Sequence, residues 1–193
     1  MDASRTDRHL MKLVAQRDPE AFADLATRYG PRLLAVARRL LGGRADAEDA
    51  VQRALIQCYL GAAGYRSAWA VSTWLYRILA NVCVDELRRR TTRAAHAVAT
   101  RALSSEAAPD AVEAAGSRLD VARALEHVPR EARVLLALHY VDGLSYGELA
   151  KIRGISVNTV KSQLARGKAI LRRALDAKPL ATSPAKSPEG GPR

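Results

Sequence analysis

Apolar side chains in this sequence recur at three- and four-residue steps, and nowhere do β-branched residues alternate between turn clusters. One face of a helix repeats every 3.6 residues and one face of a strand every two, so the pattern predicts an all-α fold. Leu10, Leu13 and Val14 open a short helical segment. Asp18-Pro19-Glu20 then suits a helix start, because proline in the first turn lacks an N–H that would have no intrahelical partner anyway. Phe22, Leu25, Leu33, Leu34, Ala37, Leu40 and Leu41 carry that helix to Gly42-Gly43, which ends it. Asp46 is expected to cap the next helix, with Val51, Leu55, Ile56 and Tyr59 as its apolar stripe, before Gly61 to Gly64 breaks the pattern. The last helix of this block holds Trp74, Ile78 and Val82 at four-residue steps beside Leu75 and Leu79. Trp74 therefore reads as core. The helix finishes in Arg88-Arg89-Arg90, where cations suit the C-terminal end of the dipole.

Residues 91–117 change character: Ala, Ser and Thr dominate, Pro109 interrupts, and large apolar residues are nearly absent. Such a stretch cannot build a core and predicts a flexible linker between two helical domains, 1–90 and 118–176. Order resumes with Leu119, Leu125 and Val128 in a short helix, and Pro129 starts another that runs through Val134, Leu135, Leu138 and Val141 to Asp142-Gly143. The tail, 177–193, is rich in Pro, Ser and Gly and is expected to be disordered.

Residues 144–173 read as a helix-turn-helix. Ser145-Tyr146-Gly147-Glu148 is a capping box, in which the serine and glutamate side chains satisfy each other's free amides. Leu149 and Ile152 face inward, Gly154 makes the turn, Ser156 caps the second helix, and Val160, Leu164 and Leu171 hold it down. That leaves Asn158, Thr159, Lys161, Ser162, Gln163 and Arg166 on or near the exposed face. Amides, hydroxyls and cations there are what gripping phosphates and reading base edges require. His139 and Tyr146 are either phosphate contacts or helix-packing residues.

Charge supports a polyanionic partner. Lys and Arg number 31 against 20 Asp and Glu, a formal charge of +11, and Lys161, Arg166, Lys168, Arg172 and Arg173 stand in a run without an acid. No stretch approaches the length of a membrane span, and Met1 to Arg8 leads into no apolar secretory segment, so a cytoplasmic location is expected. Cys58 and Cys83 cannot alone form a disulfide framework or zinc site and read as small core residues. No activated nucleophile, paired carboxylates or glycine-rich phosphate loop is present, so neither an enzyme nor a cofactor nor a small-molecule substrate is expected.

Three long runs, in order, resemble the extracytoplasmic-function group of the sigma-70 family, the bacterial initiation factors that carry RNA polymerase to promoters. Asp46-Ala47-Glu48-Asp49-Ala50-Val51-Gln52 is similar to the family's DAED-x-VQ run in region two. Ser72 to Asn81, followed by Asp85-Glu86-Leu87-Arg88-Arg89, is similar to its TWLYRIA…N…D-x-LRR stretch. Gly143 to Ala150 with Thr159-Val160-Lys161-Ser162 is similar to region four. The resemblance covers about residues 8–90 and 118–175.

It implies that Asp46, Glu48, Asp49 and Gln52 bind core polymerase, although acids early in a helix also cap it, the preferred reading for Asp46. It places recognition and melting of the −10 element on the loop from Arg66 to Val71 and on Asn81, which offers a base both a donor and an acceptor. Tyr65 and Trp69 become stacking candidates, Arg66 a −10 residue of that loop, and Arg77, Arg88, Arg89 and Arg90 phosphate contacts. In region four, Lys161, Ser162 and Arg166, with Asn158, Thr159 and Gln163 as neighbours, would contact the −35 element. The implied partners are core RNA polymerase, promoter DNA and an anti-sigma factor. The alternative is a helix-turn-helix regulator whose N-terminal domain senses a ligand or dimerises, and promoter binding without polymerase would distinguish it.

Overall fold

The computed structural model describes residues 6–101, 121 and 123–176, and every regular element among them is helical. In chain order these are α1 (Asp7–Ala15), α2 (Pro19–Leu41), α3 (Arg44–Gly61), a 3₁₀ turn (Ala62–Gly64), α4 (Val71–Arg101), α5 (Arg130–Asp142), α6 (Tyr146–Arg153) and α7 (Val157–Asp176). Residues 123–126, within the short helix expected from Leu119, are also helical. No helix among the described residues is long and apolar enough to cross a membrane.

Local chemistry sets most of the helix ends. Asp18 accepts hydrogen bonds from the amides of Glu20 (2.9 Å) and Ala21 (3.0 Å), with Pro19 at the first helical position. Gly42, at φ +76°, terminates α2 in a backbone region that a side chain would strain. Two expectations need correction at α3. Its N-cap is Gly43, with no side-chain cap, and Asp46 lies inside the first turn. There the Asp46 carboxylate sits 2.7 Å from Arg90 of α4, an attraction stronger than a capping bond to its own helix. The buried face of α3 is also not the expected stripe: Ala47, Ala50, Val51, Ala54 and Cys58 face inward, while Ile56 is 56% exposed. Small side chains let α3 approach both α2 and α4 closely, so they displace the larger ones from the interface.

Helix α4 does not stop at Arg90 but continues to Arg101. The added stretch contains four alanines, the residue of highest helix propensity, and no glycine or proline. The remainder of the expected linker, 102–117, and the tail, 177–193, lie outside the described residues.

The C-terminal helices follow the expected signals. Gly143 (φ +72°) and Gly154 (φ +66°) adopt left-handed conformations at the ends of α5 and α6. Ser145 and Glu148 form a reciprocal capping box, and hydrogen bonds from Ser145 hold the Glu148 carboxyl below the usual glutamate range. The Thr159 amide donates to the Ser156 hydroxyl at 3.1 Å. Gly167 is buried where α7 crosses α5: a Cβ there would lie 3.1 Å from the Ala132 Cβ and the Leu136 Cδ1. The Ala132 methyl is fixed to its backbone and cannot retreat. Gly167→Val should therefore destabilise this module by about 2 kcal/mol through overpacking. Urea unfolding of the full chain would measure this; an unchanged midpoint would mean that α7 shifts freely.

One core runs through both blocks, from Leu10 and Leu25 through Leu79 to Leu135, Leu149 and Leu164. Helices α2 and α4 of the first block pack on α5 and α6 of the second. Cys58 and Cys83 are fully buried, and burial pushes both thiols up to about 12, so each stays protonated at neutral pH.

Candidate nucleic-acid and protein interfaces

Three exposed surfaces carry the residues singled out above. The first is the outer face of α7. Val160, Leu164 and Gly167 anchor the helix, which turns Asn158, Lys161, Ser162 and Arg166 to solvent and leaves Thr159 and Gln163 half-buried. The Thr159 hydroxyl lies 2.9 Å from Ser156 Oγ, and Ser162 donates its hydroxyl proton to the Thr159 carbonyl at 3.0 Å. Thr159 thus serves mainly to fix the start of the helix, whereas Lys161 and Arg166 project cations from an acid-free face. His139 belongs to the packing behind this surface. Its Nδ1 faces the Leu144 carbonyl at 2.7 Å, so that nitrogen carries the proton, and its ring lies between Tyr140 and Tyr146.

The second surface runs from the 65–70 loop along α4. The Trp69 amide closes a turn on the Arg66 carbonyl at 3.1 Å, and the Tyr65 hydroxyl donates to the Trp69 carbonyl. Tyr65 is half-buried, edge-on to Trp74 with centroids 5.6 Å apart, so it braces the loop from beneath. Trp74 itself is half-buried against the core. The Arg77 guanidinium lies 5.1 Å from the centre of the Trp69 ring, a cation–π contact that orients the indole. Arg77, Asn81, Asp85, Arg88 and Arg89 are all exposed at helical spacing, a strip of about 18 Å at 1.5 Å rise per residue. Arg66 is exposed beside it. Arg88 and Arg89 pair loosely with Asp85 and Glu86 (3.6 and 3.9 Å) and stay more than half exposed. Arg90 has a different place, donating to the Leu41 carbonyl at 2.7 Å and tying α4 to the end of α2.

The third surface is on α3. Asp49 and Gln52 are exposed on one face, and Asp49 pairs with Arg53 at 3.4 Å. Glu48 is turned aside by Arg44 (2.7 Å) and Arg38 (3.8 Å), and Asp46 by Arg90. Sequence reasoning missed Ile56 and Leu60, 56% and 62% exposed, which extend the Asp49–Gln52 face by two turns. The signal was present in the alanines and cysteine at 47, 50, 54 and 58, which trace the opposite, inward face.

One link joins the surfaces across the blocks. Arg153, at the end of α6, donates to the Asn81 side-chain carbonyl at 3.3 Å and also pairs with Glu131. Nothing local in the sequence connects residues 72 positions apart.

Sequence models described as Sigma-70 region 2 and Sigma-70 region 4 match residues 25–93 and 118–171. The chain is 32% identical over 176 residues to the ECF RNA polymerase sigma factor SigW of Bacillus subtilis, covering 86% of this chain and 94% of that protein. It is 34% identical over 177 residues to the ECF RNA polymerase sigma factor SigM of Mycobacterium tuberculosis, covering 89% and 85%. Among solved structures, CnrH bound to the cytosolic domain of CnrY aligns over 89% of this chain and 97% of that one, with a TM-score of 0.67 and 27% identity. The sigma factor RpoE of Bartonella quintana, solved with the anti-sigma factor NepR, has the same fold at a TM-score of 0.62 and 24% identity, covering 81% and 97%.

Proposed function

We propose a division of labour among these surfaces from one premise: the chain belongs to the sigma-70 family, in its extracytoplasmic-function group. It is an alternative sigma factor that binds core RNA polymerase and directs transcription initiation at promoters. The observation that carries this is the pair of family matches, region two then region four, in one chain that spans most of each relative.

The α3 face of Asp49, Gln52, Ile56 and Leu60 docks on core polymerase. Its exposed aliphatic pair beside polar groups supports this reading, since apolar residues rimmed by polar ones mark protein contacts. Asp46 and Glu48 act at the edge of that face, already engaged by arginines of the chain itself. The strip of Arg66, Trp69, Arg77, Asn81, Arg88 and Arg89 takes the −10 element, with Tyr65 bracing Trp69. The outer face of α7 takes the −35 element. Residues 1–90 and 118–176 form the two functional domains, joined through 91–117, with 177–193 dispensable. Bond-making chemistry stays with the polymerase, and the chain works in the cytoplasm, where polymerase and chromosome are. An anti-sigma factor is a fitting regulator, as one solved neighbour, RpoE, was captured with an anti-sigma factor.

The test is binding to purified core polymerase followed by run-off transcription; a conventional regulator would bind promoter DNA tightly without the polymerase. Within that test, Asp49→Arg with Gln52→Ala should weaken core binding by about 2 kcal/mol, roughly thirtyfold, with unchanged helicity. Unaltered affinity would move the docking face off α3.

A further inference from the structure

We propose that the cleft bounded by α2, α5 and α7 is a binding site for a small anionic amphiphile, an alkyl-chain carboxylate, whose tail fills an apolar cavity and whose headgroup pairs with Arg133 and Arg39. The proposal goes beyond the sigma-factor reading and does not depend on it. Two adjoining cavities form the cleft. The first, about 420 Å³, is walled by Leu125, Leu136, Ala137, Val141 and Leu171, with Tyr140, 62% exposed, beside them. The second, about 460 Å³, follows the end of α2 past Leu41 to Arg90 and Thr91 of α4. Arg39, Leu125 and Arg133 line both cavities and so mark the seam where they meet.

Arg133 is the residue that calls for a ligand. It is only 8% exposed. Its Nη2 donates to the carbonyls of Glu126 (2.9 Å) and Val128 (3.2 Å), whereas its Nε has no hydrogen-bond partner. Both of those partners are neutral groups. Burial pulls the guanidinium below its ordinary value, and the Glu126 charge opposes this only in part. A charge taken out of water must recover its solvation from what surrounds it, and carbonyl dipoles alone do so incompletely. A carboxylate would complete the shell, because its two oxygens match the N–H fork of a guanidinium in a charge-assisted pair. Arg39, exposed on α2, brings a second cation to the seam, and Lys168, exposed on α7, a third to the first cavity. Among the described residues no acid lines the first cavity, and Glu126 lines the second from an exposed position. Local charge therefore selects an anion.

Shape selects the rest of the ligand. Small-molecule sites enclose roughly 300–1,000 Å³ and combine mainly apolar walls with a few placed polar groups, as this cleft does. Protein interiors leave few voids larger than a water molecule, so packing among the chain's own side chains does not account for its size. A multiply charged anion would set unpaired charge against the aliphatic wall of the first cavity, at a high desolvation cost. A single carboxylate on an alkyl chain suits both halves.

The experiment titrates the full chain with sodium decanoate by isothermal titration calorimetry, well below the concentration at which the soap forms micelles. Decanol and decyltrimethylammonium replace the headgroup, and octanoate and dodecanoate vary the tail. The site predicts one equivalent bound, about fourfold tighter for each added methylene. Decanol and the cation should bind at least about tenfold more weakly than decanoate, since neither can accept from Arg133 as an anion does. Arg133→Gln should erase that preference. If that variant fails to fold, two others carry the test, each checked for parental helicity by circular dichroism. Arg39→Gln alters an exposed cation and should weaken decanoate about threefold. Val141→Trp fills the first cavity without changing charge and should abolish measurable binding. Equal affinity of the parent for decanoate and decanol would overturn the proposal without any variant. So would the absence of saturable binding, the uptake of many equivalents, or undiminished binding by a folded Val141→Trp protein. Failure of the parent to bind core polymerase would sink the sigma-factor reading and leave the outcome of this titration unaffected.

Discussion

Asn81→Ala should bind core polymerase and the upstream element no more weakly than the parent, yet form about tenfold fewer open complexes. Asn81 is exposed on α4 one turn beyond Arg77, where a base leaving the stack would meet a group that both donates and accepts. Extrusion costs a few kcal/mol, and losing one or two hydrogen bonds at the receiving site removes about 1.4 kcal/mol of the compensation, a factor of about ten. Alanine preserves the helix, so the fold should persist. Permanganate reactivity of unpaired thymines measures opening on duplex and pre-melted templates. A pre-melted template should rescue the variant only in part, because the base contact is still missing. Parental opening would leave Asn81 as the partner of Arg153 alone and move base capture to the loop around Trp69.

The second large effect is expected at α7. Lys161→Ala with Arg166→Ala should reduce holoenzyme binding to the upstream element by roughly a hundredfold, at about 1–2 kcal/mol per contact. Where both contacts are to phosphate, the log–log salt slope should fall by about two units and all sequences weaken alike. A base contact would instead relax the preference at one position, at about 1–3 kcal/mol. Both residues are exposed on a helix held from its other side by Val160, Leu164 and Gly167, so their loss leaves the packing untouched. Unchanged binding by the double variant would remove α7 as the reading element.

The contrast between these two sites shows what was legible in the sequence. The helix-turn-helix could be read almost residue by residue, because its caps act within three positions: Ser145 with Glu148, Gly154 at the turn, and Ser156 with Thr159. The all-α class followed equally from periodicity. The start of α3 could not be read, since Asp46 is drawn to Arg90, 44 positions downstream. Its inward face was missed because the eye follows large apolar residues, whereas close helix approach selected Ala50, Ala54 and Cys58 and left Ile56 outside. Alanine propensity carried α4 past the arginines that resembled its end. The bonds of Arg153 to Asn81 and of Tyr76 to Asp142 exist only in three dimensions. They could not be inferred from any local pattern.

The continuation of α4 to Arg101 has a metric consequence. Eleven residues beyond Arg90 advance the chain by about 16 Å as helix, against roughly 37 Å if drawn out. The nineteen residues from 102 to 120 can add at most about 65 Å, whatever path they take. The separation that the two surfaces proposed to read DNA can reach is thus governed by a ruler, stiff at one end, whose calibration depends on how many turns of α4 survive under tension. Each turn unwound lengthens it by about 7 Å, so helix propensity across residues 91–101 would set how far apart the two surfaces can stand.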